Sequence, residues 1–129
     1  IHNNGEIENI TPYNKDNFVD SSEITWGAIG VNSVSRHVAL EGGISESGAT
    51  QGHSKFEELY TDEQFVMLAS YLNQAVKDYP WIKIIGHYQT NKTSKSCPNF
   101  HVPTYCKDID LPEENYINVF KIEHYGLDE

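Results

Sequence analysis

The stretch that most constrains this chain is "TDEQFVMLASYLNQAVKDYP", residues 61–80, because its apolar residues recur at a single regular spacing. Phe65, Leu68, Leu72, Val76 and Tyr79 follow one another at intervals of three and four, the period of one helix face. Thr61 with Gln64 three residues later forms a capping-box pattern, Asp62 and Glu63 meet the positive end of the helix dipole, and Pro80 stops the run. The spacing predicts an amphipathic helix of about four to five turns. Such a stripe has to be buried against other elements. With 129 residues, 38% of them hydrophobic, the chain suits one domain over 1–129 with one core.

Less regular segments surround the helix. Residues 1–33 are polar and rich in turn residues, with a short strand expected at Glu6 to Ile10 after the Asn4-Gly5 turn. "VSRHVALE", residues 34–41, alternates Val34, Val38 and Leu40 against Ser35, His37, Ala39 and Glu41, which predicts a strand ended by Gly42 and Gly43. Residues 44–60 are rich in Gly, Ser and Thr and read as an exposed excursion. "WIKIIG", residues 81–86, is short, apolar and β-branched, and predicts a buried strand. After Pro98, "NFHVPTYCKDI" has room for a helical turn or a short helix, while the tail 111–129 carries little readable pattern. The order strand, loop, long helix, strand, loop predicts an α/β fold with a central sheet.

Charge and hydropathy exclude several classes of partner. Nineteen acidic residues against nine basic ones give a formal net charge of -10, and a surface of that sign repels phosphate backbones and anionic headgroups. Nucleic acid is therefore not an expected partner. No stretch reaches the roughly 18 apolar residues that read as a membrane span, and "IHNNGEIENI" is not a targeting signal, so membrane insertion is not expected either. The opening residues resemble a strand end running into a turn, and the expectation is that an N-terminal part precedes Ile1.

The chemistry concentrates in "GHYQTNKTSKSCP", residues 86–98. Zinc accepts neutral imidazole and thiolate, and a polar loop spanning the ten positions from His87 to Cys97 can fold back to place both in one coordination sphere. Lys95 lies two positions before Cys97, so in extended backbone both side chains face the same side, and Pro98 favours extended backbone at Cys97. A bound zinc ion (Zn2+) lowers the pKa of its water and polarises a carbonyl, and a nearby ammonium can hold the oxyanion that forms. The ordinary alternatives are a hydrogen-bonded histidine, a buried thiol and a solvated lysine. Cys97 and Cys106 also allow a disulfide by count, although Cys106 reads as a core thiol.

Four segments, in order, resemble the zinc-dependent N-acetylmuramoyl-L-alanine amidases of the type 2 amidase superfamily, in particular phage lysozyme-type members and relatives from Bacteroidetes and their phages. These are "IHNNGEI", "GAIGVNSVSRHVALEGGI", the helix opening "TDEQ", and "IIGHYQTNKTSKSCPNFHVPTY", the last being the most specific. Together they span most of residues 1–105 and leave the tail 111–129 outside the resemblance. The resemblance implies a mixed central β-sheet flanked by helices. It also implies His87 and Cys97 as two zinc ligands, Lys95 as the catalytic residue, and peptidoglycan or a muropeptide as substrate. The implied reaction hydrolyses the amide between N-acetylmuramic acid and L-alanine, in a cell-wall-facing setting: secreted, periplasmic or phage-delivered.

Departures from the pattern accompany the match. The family's first zinc-binding histidine, and the tyrosine that phage-type members carry before their turn, would both precede Ile1. His2 is a weaker candidate for that ligand, because "NNGEI" matches the later turn. Ala39 stands where some relatives carry a catalytic glutamate, with Glu41 two positions on along the same face, and His101 stands where an aspartate is common. His37 reads as structural or groove-lining, His53 and His124 as solvated, and Trp26 and Tyr88 as core packing or as stacking surfaces for substrate. The alternatives to an enzyme are a non-catalytic peptidoglycan-binding module of the same fold and a structural component of a virion or cell-wall assembly, with a protein partner left open.

Overall fold

The structure, a computed structural model, describes residues 1–9, 35–42, 60–90 and 97–122. Helix α1, Asp62–Asp78, forms where the apolar spacing places it. Its N-terminus is closed reciprocally: Thr61 Oγ1 accepts the Gln64 N–H at 3.2 Å and Gln64 Oε1 accepts the Thr61 N–H at 2.9 Å. At the other end the Tyr79 N–H reaches Ala75 O at 2.8 Å, and Pro80 follows. Leu68 and Leu72 are buried, while Phe65, Val76 and Tyr79 are partly so. Covering each of the two leucines contributes about 2–3 kcal/mol before entropy is counted.

The second helix, α2, Val102–Asp108, packs on α1. Its N-cap is His101, whose Nδ1 accepts the Thr104 N–H at 3.2 Å, with Pro103 in the first turn, where its missing N–H costs nothing. Val102 and Cys106 turn inward to meet Leu68, Leu72, Tyr88, Phe100 and Leu111. Phe65 and Phe100 meet edge-on with centroids 5.4 Å apart, Tyr60 stands edge-on to both, and Tyr105 lies tilted against both. The Tyr105 hydroxyl donates to Phe65 O at 2.6 Å, which ties α2 to α1.

Among the described residues the predicted mixed central β-sheet is not present: they form two α-helices and two 3-10 turns, His87–Gln89 and Glu113–Asn115, and no strand. The apolar run 81–86 contributes only a single parallel bridge between Ile84 and Tyr116. Side-chain amides account for the difference. Asn115, 2% exposed, donates from Nδ2 to Pro80 O at 2.9 Å and to Ile82 O at 3.0 Å, occupying carbonyls that a neighbouring strand would otherwise take. Ile84 then has one backbone exchange, with its N–H to Asn115 O and its carbonyl to the Ile117 N–H.

The alternating stretch at 34–41 behaves in a similar way where it is described. Glu41 N–H bonds Ile1 O at 2.8 Å, but the next acceptor, Glu41 O, goes to the Gln64 side chain at 2.7 Å. Val38 is 39% exposed while Leu40 packs partly buried against the core, so the alternation buries only part of its apolar face. The expected Asn4-Gly5 turn is present, with Gly5 at φ 88° and its N–H on His2 O, but residues 6–9 form no strand. The positive φ and a backbone approach to Glu63 O, 3.0 Å from where a Cβ would lie, leave room for glycine alone. The excursion expected at 44–60 falls, apart from Tyr60, outside the described residues.

Candidate functional site: the turn at His87

The chain leaves Ile84 and Ile85 through Gly86 into the His87–Gln89 turn, so His87 opens a 3-10 turn and does not close a strand. Gly86 has to be small, since a Cβ there would lie 2.6 Å from the Tyr88 ring and 2.8 Å from Val102. The Tyr88 N–H donates to Cys97 O at 3.0 Å. That bond carries the far end of the loop back to the residue next to His87, and it brings these two sequence-predicted donors into one neighbourhood. Cys97 is a free, half-buried cysteine.

Tyr88 itself is 3% exposed and its hydroxyl accepts the Val102 N–H at 3.1 Å, so it belongs to the core and offers no stacking surface. Burial raises its pKa. Cys106, fully buried, has its thiol pushed up to about 11 by the same desolvation and stays protonated at neutral pH, as suits a core thiol. Neither cysteine is in a disulfide. Lys95 and Trp26 lie outside the described residues, as do His53 and His124.

His2 and Glu41 lie at a separate corner. His2 holds Glu41 Oε2 at 2.8 Å through Nδ1 and Glu8 Oε1 at 2.8 Å through Nε2, so both ring nitrogens are engaged by carboxylates. Glu41 also accepts the Asn3 N–H at 3.2 Å. An open hollow lined by His2, Asn3, Asn4, Glu6 and Glu41 sits there, without His87 or Cys97. His37 is exposed. His101 serves as the N-cap of α2, a task for which aspartate is equally suited, so its departure from the amidase pattern changes the capping atom and keeps the cap.

Three residues of this region escaped the sequence reading. Gln89 is fully buried: Oε1 accepts the Gly86 N–H at 2.8 Å, while Nε2 donates to Ile117 O at 2.6 Å and Val119 O at 2.9 Å. Lys121 donates to Tyr88 O at 2.6 Å and Thr90 O at 3.0 Å, and the Ile122 N–H reaches Gln89 O at 2.8 Å. Lys121 and Ile122 lie in the tail, where no periodicity announces a structural role. The uncharged amide of Gln89, three positions after the apolar run ends at Gly86, was the only available signal.

Comparison of the chain with protein-family models, with curated proteins and with solved structures finds no match. Among the described residues no group of three His, Cys, Asp or Glu side chains is placed to hold a metal ion, and no helix is long and apolar enough to cross a membrane. The two donors beside the Tyr88–Cys97 bond nevertheless fit zinc in kind, an imidazole and a free thiol on adjoining backbone.

Proposed function

We propose that this chain belongs to a zinc-dependent peptidoglycan amidase that hydrolyses the N-acetylmuramoyl-L-alanine bond, with His87 and Cys97 supplying two of the metal's donors and Lys95 the cation for the oxyanion. The observation that carries the reading is the Tyr88 N–H to Cys97 O bond, which seats the free cysteine beside the histidine turn. Its second support is the motif "GHYQTNKTSKSCP", in which the donors and the lysine occur in the order the amidase pattern uses. Zinc bound there would supply an activated water and a polarised carbonyl. The chain's own residues hold the turn, and His87 and Cys97 would supply the imidazole and the thiolate. The strongly acidic balance disfavours nucleic acid as a partner.

The test is zinc binding and muropeptide cleavage by the full-length protein and by its His87→Ala, Cys97→Ala and Lys95→Ala variants. The first two substitutions are expected to lower zinc affinity at least about tenfold, since even outer partners of a metal site cost that much. Lys95→Ala is expected to keep the metal and lose cleavage. Zinc uptake that ignores Cys97→Ala, or cleavage undiminished by it, would sink the enzyme reading. Muropeptide binding that persists without zinc would point to a non-catalytic binding module.

A further inference from the structure

The His87–Gln89 turn is too short to hold itself. A 3-10 turn of this length closes with few internal bonds, here Gln89 N–H to Gly86 O at 2.9 Å and Thr90 N–H to His87 O at 3.0 Å. The carbonyls leaving the turn, those of Tyr88, Gln89 and Thr90, are all taken by residues 121 and 122. Gln89 Nε2 in return takes the carbonyls of Ile117 and Val119. One stretch of tail therefore meets the turn through both its side chains and its backbone.

Core burial does not explain that stretch. Val119 is 52% exposed and Phe120 70% exposed, so between the bridge at Tyr116 and buried Ile122 the tail places large apolar groups largely in water. What it does satisfy is the backbone around His87. Buried carbonyls without partners are costly, and an ammonium shared between two of them makes stronger bonds than a neutral donor. The Lys121 ammonium also lies 5.6 Å from the centre of the Phe120 ring, and that ring is 6.1 Å from Tyr88, which keeps the lysine stem over the turn.

We propose that residues 117–122 act as a strap that positions His87, with Lys121 as the positioning residue and Gln89 as its anchor. The strap deepens the zinc-site reading and rests on it for its role in metal binding. Its effect on the turn can be measured without any metal.

Lys121→Ala and Lys121→Arg test it, because Lys121 is only partly buried and its truncation removes two bonds without opening the core. Amide hydrogen exchange and cobalt(II) titration, read through the thiolate charge-transfer band, are the two measurements. In Lys121→Ala the amides of Tyr88, Gln89 and Thr90 are expected to exchange about tenfold faster while those of Leu68 and Leu72 keep their rates. Cobalt affinity is expected to fall about tenfold, the scale of a lost outer partner, and Lys121→Arg to restore both. Unchanged turn amides, equal acceleration throughout α1, or unchanged cobalt affinity overturns the strap. If the unsubstituted chain takes no cobalt, the zinc reading fails separately and the exchange pattern alone decides whether the strap fixes the turn.

Discussion

Gln64 and Gln89 are both fully buried glutamines, and each clips a backbone segment to its neighbours, yet their surroundings differ. Gln64 Nε2 donates to Ile1 O and Glu41 O from the first turn of a long helix, and the segments it holds, 1–9 and 35–42, are largely exposed. Gln89 sits in a three-residue turn among buried Gly86, Tyr88 and Thr90, and fastens the tail to it. Water can replace the partners of the first glutamine more readily than it can replace the second as acceptor for the buried Gly86 N–H. The same side chain is thus a corner brace in one place and an internal fastener in the other.

The comparison predicts unequal costs for one substitution. Gln89→Leu leaves the buried Gly86 N–H without its acceptor and removes the donor to Ile117 O and Val119 O, so a loss of about 2–4 kcal/mol is expected in urea unfolding. Gln64→Leu keeps the side chain's apolar part and lets water reach the freed carbonyls, with an expected loss of about 1–2 kcal/mol, part of it the broken capping box. Equal losses at the two positions would show that exposure of the held segments does not set the cost.

These glutamines also mark where the sequence was readable. Helix α1 was legible because its signals are local: the cap, the apolar period and the terminating proline all lie within residues 61–80. The short helix after Pro98 was legible only as room for a helical turn or a short helix, and the half of Gln64's role that closes the cap was visible as Thr61 and Gln64. The sheet was misread because an apolar run specifies burial without specifying which group meets its carbonyls. At Pro80 and Ile82 that group is the amide of Asn115, more than thirty residues away in sequence. For the candidate site, His87 and Cys97 were singled out by donor type, and the structure shows a backbone bond between Cys97 and the residue after His87. Gln89 and Lys121 were not found, because their role depends on a tail whose docking is set by single hydrogen bonds and leaves no periodicity.

The smallest expected effect is at the exposed corner. Hydrogen bonds that His2 donates to Glu8 and then to Glu41 raise its pKa above its ordinary 6.5, and the bond from His2, followed by the Asn3 N–H, lowers Glu41 below its ordinary 4.5. Only the imidazolium can donate to both carboxylates at once. The raised histidine contributes stability that is fully present below pH 6.5 and fades as pH climbs through its folded value. The lowered glutamate contributes above pH 4.5 and fades as pH falls through its folded value. The corner therefore holds best between those two limits. Urea midpoints measured from pH 5 to about 9 are expected to decline slightly on the alkaline side, with His2→Asn flattening that decline and leaving the Gln89 turn untouched. A decline of equal slope in His2→Asn would assign the pH dependence to another group and leave the corner held by the Gln64 amide and its backbone bonds.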